Sequence, residues 1–260
     1  MRIARLNLSK INVPGMLVIV ALGLLWEAAV RSGAVAYDYL PAPSAILVAG
    51  RDLLLSGEML AQTAHTLRSV LIGWAIANII GISLGLVLGF SVFARRYILA
   101  SLEVLRPMPI VAFLPLALLL FNFSLTTELV LIVYASLWPA LINTMGGIMS
   151  TPARLYDVGR TLRLSRARIL WKVVLPAAAP AILVGCRLSM GLALIIATIA
   201  EMLANPHGLG YAVISQLMAM QPQRMFAYVI CIGLLAIGLN ATLMWLSRLL
   251  LRGHALASHA

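Results

Sequence analysis

The sequence predicts an all-α integral membrane protein with about six transmembrane helices and with its N and C termini in the cytoplasm. Of its 260 residues, 62% are hydrophobic and 10% are charged, whereas a soluble domain averages roughly 45–50% apolar and about 25% charged residues. The apolar residues fall in runs of about 20, the length that crosses a bilayer as a helix. Basic residues cluster in every second loop between these runs. Together these observations exclude a soluble globular class.

Six apolar runs are long enough to be spans, and residues 1–260 are predicted to form one transmembrane domain with its core at about 66–247. The spans are placed near residues 13–30, 68–91, 98–121, 128–149, 181–203 and 226–247.

The orientation follows from the basic residues, which are enriched in cytoplasmic loops. With the N-terminus inside, thirteen Lys and Arg residues are cytoplasmic, and only Arg31, Arg51 and Arg224 are external. This sorting explains the net charge of +11 better than nucleic-acid binding does, because the basic residues are scattered rather than gathered on one face. A cleavable signal peptide ending near Ala34-Val-Ala36 is the alternative for the N-terminus, but its apolar stretch exceeds a usual signal-peptide core.

The segment at 37–62 is predicted to be external. Pro41 and Pro43 interrupt it, and Arg51, Asp52 and Glu58 make its helical part amphipathic. Such a helix is expected to lie along the outer membrane surface.

Three spans carry small or polar residues at every fourth position, and such rows let helices approach closely in lipid. The rows are Ala77-Gly81-Gly85-Gly89, Ala135-Pro139-Asn143-Gly147 and Gly185-Ser189-Ala193-Ala197. Glu201 continues the third row. A carboxylate at the end of a span is costly unless it is paired or faces water, so Glu201 either anchors a neighbouring helix or lines the solute path.

The third span contains Glu103, Arg106, Pro107, Pro109 and Pro115. Proline removes a backbone donor and breaks a helix, and such breaks survive at membrane depth where protein or a water-filled cavity surrounds them. The segment is either a structural kink with a Glu103–Arg106 pair or a part of the path. The candidate path residues are therefore Arg106, Pro107, Pro109 and Glu201.

A basic segment between spans four and five carries six of the 19 Lys and Arg residues between positions 154 and 172. It is patterned as two short helices. Leu155, Val158 and Leu162 recur at helical spacing on one face, Ser165 can cap the second helix, and Leu175-Pro176 is expected to end it. A structured cytoplasmic elbow of this kind is typical of a surface for a partner.

No catalytic or metal site is visible. Cys186 and Cys231 lie in predicted spans and are expected to be small buried hydrophobes. The four histidines are far apart in sequence and lack the spacing of metal ligands. We therefore predict no metal, no cofactor and no enzyme activity.

The elbow resembles the EAA signature of permease subunits of ATP-binding-cassette importers, in which Glu-Ala-Ala is followed by Gly and then by Ile-x-Leu-Pro. The positions that match are Asp157, Val158, Gly159, Arg163, Val173, Leu175 and Pro176. Further stretches resemble the nitrate, sulfonate and taurine branch of that family. They are Leu40–Ser44, Arg106–Ala117, Asn143–Gly147, Ala200-Glu201 and Gly208–Tyr211.

One departure is large, because Arg163 stands where the family has glycine. A glycine there would supply a positive φ at the bend, which costs a side chain about 1 kcal/mol. Either the bend is reshaped in this chain or Arg163 contacts the partner.

The resemblance implies a subunit without catalysis of its own, because ATP is hydrolysed by a separate protein. The expected partners are two copies of a cytoplasmic ATPase, a periplasmic solute-binding protein, a second permease copy, most simply identical, and membrane lipid, but no nucleic acid. The location implied is the bacterial inner membrane. The coupling loop would comprise Leu155, Asp157, Val158, Gly159, Leu162, Arg163, Val173, Leu175 and Pro176.

The solute implied by the resemblance is a small organic anion such as a sulfonate or taurine, or nitrate, and heterocyclic vitamin precursors are the alternative within the family. The alternative from another class is a self-sufficient secondary transporter or channel. Such a protein would show inverted repeats and paired mid-membrane charges, and the sequence has no clear repeat and few mid-span charges. A membrane enzyme or a structural scaffold would leave the patterned elbow without a purpose.

Overall fold

The computed structural model of the protein describes residues 13–34, 37 and 39–255. They form eleven α-helices in chain order, with a 3₁₀ turn at Ile110–Phe113 before α5 and a π-helical segment at Leu170–Val174 before α9. The helices are α1 Val13–Arg31, α2 Pro43–Leu55, α3 Glu58–Phe90, α4 Val92–Leu105, α5 Leu114–Phe121, α6 Leu125–Met149, α7 Ala153–Thr161, α8 Arg166–Ile169, α9 Leu175–Ala204, α10 Leu209–Met218 and α11 Pro222–Ala255.

Within the described residues, four helical segments are long and apolar enough to cross a membrane: Glu58–Phe90, Leu125–Met149, Ala167–Ala204 and Pro222–Leu250. The helices of the predicted third span, bent by 82° between them, make a fifth if they count as one span. Helix α1 covers the residues of the predicted first span but is not among these segments, so the described residues contain four or five of the six predicted spans. The all-α membrane class is thus confirmed.

The core consists of α3, α6 and α9, and the predicted rows of small residues are its contact surfaces. A methyl group built on Gly85 would lie 2.6 Å from Thr144 Cβ on α6, and one built on Gly185 would lie 2.9 Å from Asn143 Cβ. No side chain fits at such separations, so glycine is required for the close approach of these helices. The prediction that the rows are packing surfaces is confirmed.

Polar side chains add interhelical hydrogen bonds to this packing. Trp74 Nε1 of α3 donates to the Cys186 carbonyl of α9 at 2.9 Å, and Asn78 Nδ2 donates to Ser189 Oγ at 3.0 Å. These bonds fix the register of α3 against α9, because the Trp74 indole and the Asn78 amide have no water to bond to inside a bilayer.

The long helix that contains the predicted second span begins earlier than the predicted start of that span. Helix α2 ends at Leu55, Gly57 turns the chain with a φ of +77°, and α3 begins at Glu58. Residues 58–67 are therefore part of the long helix, although they carry Gln62, His65 and Thr66. Hydropathy excluded these residues from the span, but their polar groups are satisfied inside the bundle, as described below.

The third span is broken where the prolines predict it. Helix α4 ends at Leu105, and the chain resumes helical structure only at Ile110, with Pro107 and Pro109 in the break. Its first half begins at Val92, six residues before the predicted start, because Ser91 Oγ caps it by accepting from Ala94 N at 3.2 Å.

The elbow does not end at Leu175-Pro176 as predicted. Helix α8, the π-helical segment Leu170–Val174 and α9 run on without interruption, and Pro176 lies in the first turn of α9. In a π turn each backbone N–H bonds to the carbonyl five residues earlier instead of four. The hydrogen-bond pattern is therefore already shifted at Pro176, which has no N–H to donate, and the helix continues past the proline.

Candidate functional site

The elbow between α6 and α9 is built from α7, a short bend and α8, and it has two faces. The predicted cap of its second helix is present, since Arg168 N donates to Ser165 Oγ at 3.4 Å. One face packs on the helical bundle and the other is exposed.

The inner face holds the elbow against the bundle. Tyr156 and Leu164 pack with the buried Ile169 and Val174, and a methyl group on the buried Gly159 would lie 2.8 Å from Ile169 Cγ1. Partial burial raises the pKa of the Tyr156 hydroxyl above its ordinary value. Gly159 is thus needed where α7 crosses α8, and it lies on the inner face rather than the exposed one.

The outer face presents apolar side chains next to charges. Val158 is 54% exposed and Leu162 is 65% exposed, while Leu155, from the same predicted face, is half-buried. Arg154, Asp157, Arg163, Arg168 and Lys172 are exposed around them. Exposed apolar side chains rimmed by polar ones mark an interaction surface.

The bend between the two short helices keeps the geometry that a glycine would adopt. Arg163 has a φ of +52°, and Leu164 N donates to the Gly159 carbonyl at 3.0 Å, which closes the end of α7 in a left-handed cap. The bend is therefore not reshaped, and Arg163 adopts a conformation that disfavours side chains.

The remaining signature positions lie at the start of α9. Val173, Leu175 and Pro176 are half-buried, and Val174 between them is fully buried in the cluster with Ile148 and Ala178. They connect the elbow to the bundle and are not part of its outer face.

The candidate path residues at the break of the third span are exposed. Arg106, Pro107 and Pro109 lie between α4 and the 3₁₀ turn, and Tyr134 Oη donates to the Leu105 carbonyl at 2.6 Å, which ties this end of α4 to α6. Arg106 lines a cavity of about 470 Å³ with Tyr134, Trp138 and Asn143 of α6 and Leu188 of α9. Within the described residues, Glu103 forms no ion pair with Arg106.

A second cavity, of about 440 Å³, lies between α9 and α11. Its lining is mostly apolar, with the polar side chains of Arg187, Thr198 and Asn240. Arg187 and Arg106 are the two cations that the sequence places within spans, and each lines a cavity.

Glu201 has a different environment from the other candidate path residues. It is fully buried. It accepts hydrogen bonds from Thr66 Oγ1 on α3 at 2.7 Å and from Gly210 N on α10 at 2.8 Å, and a methyl group on Gly208 would overlap its carboxylate. The sequence left two roles open for Glu201, either to anchor a neighbouring helix or to line the solute path. These contacts are those of an anchor.

The sequence did not reveal the polar cluster around Glu201. Glu128 of α6 accepts from Asn205 Nδ2 at 2.9 Å and lies 3.4 Å from His65 Nε2 of α3. The His65 ring stacks on the His207 ring, with centroids 5.6 Å apart, so two histidines that are distant in sequence are neighbours. Residues from three helices and one loop form this cluster, and linear spacing carries no signal for it.

A family model described as the inner membrane component of binding-protein-dependent transport systems matches residues 77–254. The chain is 32% identical over 216 residues to the SsuC protein of Bacillus subtilis (strain 168), and the match covers 83% of this chain and 78% of that protein. The name of that protein provisionally assigns it to the transport of aliphatic sulfonates. It is 33% identical over 180 residues to the nitrate import permease protein NrtB of Leptolyngbya laminosa, covering 69% of this chain and 64% of that protein.

A solved structure of the MetNI methionine ABC transporter in inward-facing conformations contains a chain with the same fold. The two chains superpose with a TM-score of 0.65 at 15% identity, over 73% of this chain and 95% of that one. At this identity the likeness concerns the fold alone.

Proposed function

Since the chain belongs to the family of inner membrane components of binding-protein-dependent transport systems, we propose that it is the permease subunit of an ATP-driven importer in a bacterial inner membrane. It forms the solute path and is not an enzyme. ATP is bound and hydrolysed by a separate cytoplasmic ATPase, present in two copies beside two copies of the permease. An external solute-binding protein delivers the solute.

The outer face of the elbow is the observation that carries this proposal. Val158 of α7 and Leu162, the residue after its end, are exposed on an elbow whose opposite side is packed on the bundle. An apolar patch of this kind fits a groove on the ATPase, and the surrounding Asp157 and arginines fit its polar rim. Movement of the ATPases reaches the bundle through α8 and the continuous helix that follows it.

The solute is a small anion, and a sulfonate, taurine or nitrate are the candidates. Support comes from the transport named for the two relatives, aliphatic sulfonates and nitrate. Within the chain, support comes from Arg106 and Arg187, which put a positive charge beside each of the two largest cavities described. Charged residues within spans typically mark substrate or ion pathways.

The test is to tag the chain, extract it gently from its native membranes and identify by mass spectrometry what copurifies. The proposal predicts a P-loop ATPase in roughly equal amount from the wild type, and little from Leu162→Glu. Recovery of the chain alone, under conditions that keep other such complexes intact, would overturn the proposal in favour of a self-sufficient transporter.

The solute is tested separately, by uptake of labelled taurine, of an alkanesulfonate and of nitrate into cells with and without the gene for the copurified ATPase. Uptake of one of these anions that requires both proteins supports the proposal. Wild-type uptake of neither anion, nor of an alkanesulfonate, would overturn the solute class but leave the importer intact.

A further inference from the structure

Three side chains from three helices converge at the external end of the core. They are His65 of α3, Glu128 of α6 and Glu201 of α9, and each offers one ligand atom within 4.8 Å of the other two. We propose that they form a binding site for a divalent metal ion of the Zn²⁺ class, which clamps the external ends of the three core helices together.

Charge balance is the first argument for a cation. Glu128 is 1% exposed and Glu201 is fully buried. Among the described residues, their one contact with a group that can be positively charged is His65 at 3.4 Å from Glu128 Oε2. Two ionised carboxylates so close together and so far from water are costly, and a bound cation is one way to neutralise their charge. A divalent ion carries the matching charge.

An unused ligand atom is the second argument. Glu128 Oε1 is buried without a well-formed hydrogen bond among the described residues; the hydroxyl that interacts with this carboxylate is that of Ser69, whose Oγ also has no well-formed partner. Buried polar atoms without a partner are rare, and a bound ion is one of the accepted reasons for them.

The surrounding hydrogen bonds orient the carboxylates as they do around known metal sites, where groups behind the ligands fix their direction. Thr66 Oγ1 donates to Glu201 Oε1, and the same hydroxyl accepts from Leu209 N at 2.8 Å. Gly210 N holds Glu201 Oε2, and Asn205 Nδ2 holds Glu128 Oε2. The positions of both carboxylates are therefore set by Thr66 of α3, by Gly210 in the first turn of α10 and by Asn205 in the loop before it.

The donor set selects the class of metal. One imidazole nitrogen and two carboxylate oxygens suit Zn²⁺, which takes three protein ligands and keeps one open position in many sites. Ligand atoms of a tetrahedral zinc site are about 3.3 Å apart, close to the separation of His65 Nε2 and Glu128 Oε2 of 3.4 Å. All three ligand atoms lie within 4.8 Å of one another, so the widest separation would shorten when the metal binds.

An entry route exists on the His65 side. The side chain of His65 is 26% exposed, and the exposed His207 stacks on it. The metal would come from the external compartment, because with the predicted orientation α3 and α6 begin there and α9 ends there.

The experiment uses the full-length chain in lipid nanodiscs, stripped with EDTA and then titrated with ZnCl₂ against a chelating indicator. The wild type is expected to bind one Zn²⁺ per chain. His65→Ala and Glu128→Gln are expected to weaken the affinity about 10- to 100-fold, as the loss of a ligand or of its orienting group does. His207→Ala is the matched control, because it removes the neighbouring imidazole and leaves all three ligands.

A thermal unfolding scan guards against misfolded variants. Zn²⁺ is expected to raise the unfolding temperature of the wild type and of His207→Ala, but not that of His65→Ala, whose partly exposed site tolerates the change. Failure of the folded wild type to bind Zn²⁺, or equal binding by wild type and His65→Ala, overturns the proposal. Neither result touches the proposed function, because the assay contains no ATPase and no solute.

Discussion

The two ends of the helical bundle differ in which kind of side chain they bury and which they expose. At the external end, the polar Thr66, Glu128 and Glu201 are buried at 0–1% exposure. At the cytoplasmic end, the apolar Val158 and Leu162 are more than half exposed. Buried polar groups that are mutually hydrogen-bonded hold helices in one arrangement, while exposed apolar groups are stabilised only by a partner. The difference indicates a fixed external end and an elbow that is completed by another protein.

The largest expected effect is at the fixed end. Glu201→Ala leaves Thr66 Oγ1 and Gly210 N without their acceptor, so we expect a loss of about 2–5 kcal/mol in the free energy of unfolding. Denaturant unfolding in nanodiscs with EDTA measures it without any contribution from metal. Glu103→Ala, an exposed carboxylate of α4, is the control and should change stability little. Equal stability of the two variants would mean that Glu201 is not an anchor.

The inner face of the elbow should be the next most sensitive position. Gly159→Leu drives a side chain into Ile169, and overpacking of this kind costs about 1–3 kcal/mol. Hydrogen exchange should increase across α7 and α8 while the amides around Gly210 stay protected. An increase at both ends would show that the two regions are not independent.

The outer face should affect binding and leave folding unchanged. Leu162→Glu places a charge in the apolar patch, and we expect affinity for the ATPase to fall about tenfold or more, as for a central interface residue. The unfolding temperature of the isolated chain should not change, because Leu162 is 65% exposed. The control is Leu55→Glu, the same substitution at a leucine that is 74% exposed at the other end of the bundle, which should leave the affinity for the ATPase unchanged.

The smallest expected effect is a gain in stability. Arg163 has a φ of +52°, so Arg163→Gly should stabilise the bend by about 1 kcal/mol and leave transport intact. Slower hydrogen exchange at Leu164, together with an uptake assay, checks both statements. Loss of transport with a more stable bend would instead identify the arginine side chain as a contact with the ATPase.

The helices and their packing faces could be predicted from sequence because both depend on local periodicity. Rows such as Ala77-Gly81-Gly85-Gly89 place small residues on one face whatever the rest of the chain does, and two prolines break the third span. The outer face of the elbow followed from the spacing of Val158 and Leu162. The continuous helix through Pro176 could not be predicted from the sequence, because a π turn accommodates the proline.

The external cluster could not be predicted because its members come together only when three helices are packed. His65 and Thr66 count against a span by hydropathy, which moved the predicted start of the second span past them. From the sequence, Glu201 is a single charge at the end of a span, and Glu128 is the first residue of the predicted fourth span and is not singled out. Their convergence depends on the crossing of α3, α6 and α9 and on the loop at Asn205–Gly208.

Site-specific cross-linking in native membranes tests the central claim, that the outer face of the elbow is completed by an ATPase. Leu162→Cys is treated with a short bifunctional thiol reagent, with Leu55→Cys at the exposed external end of α2 as the control. The account predicts a cross-link from Leu162→Cys to a P-loop ATPase, lost when the ATPase gene is deleted, and none from Leu55→Cys. No cross-link from Leu162→Cys in membranes that hold the ATPase, or the same product from both variants, would contradict it.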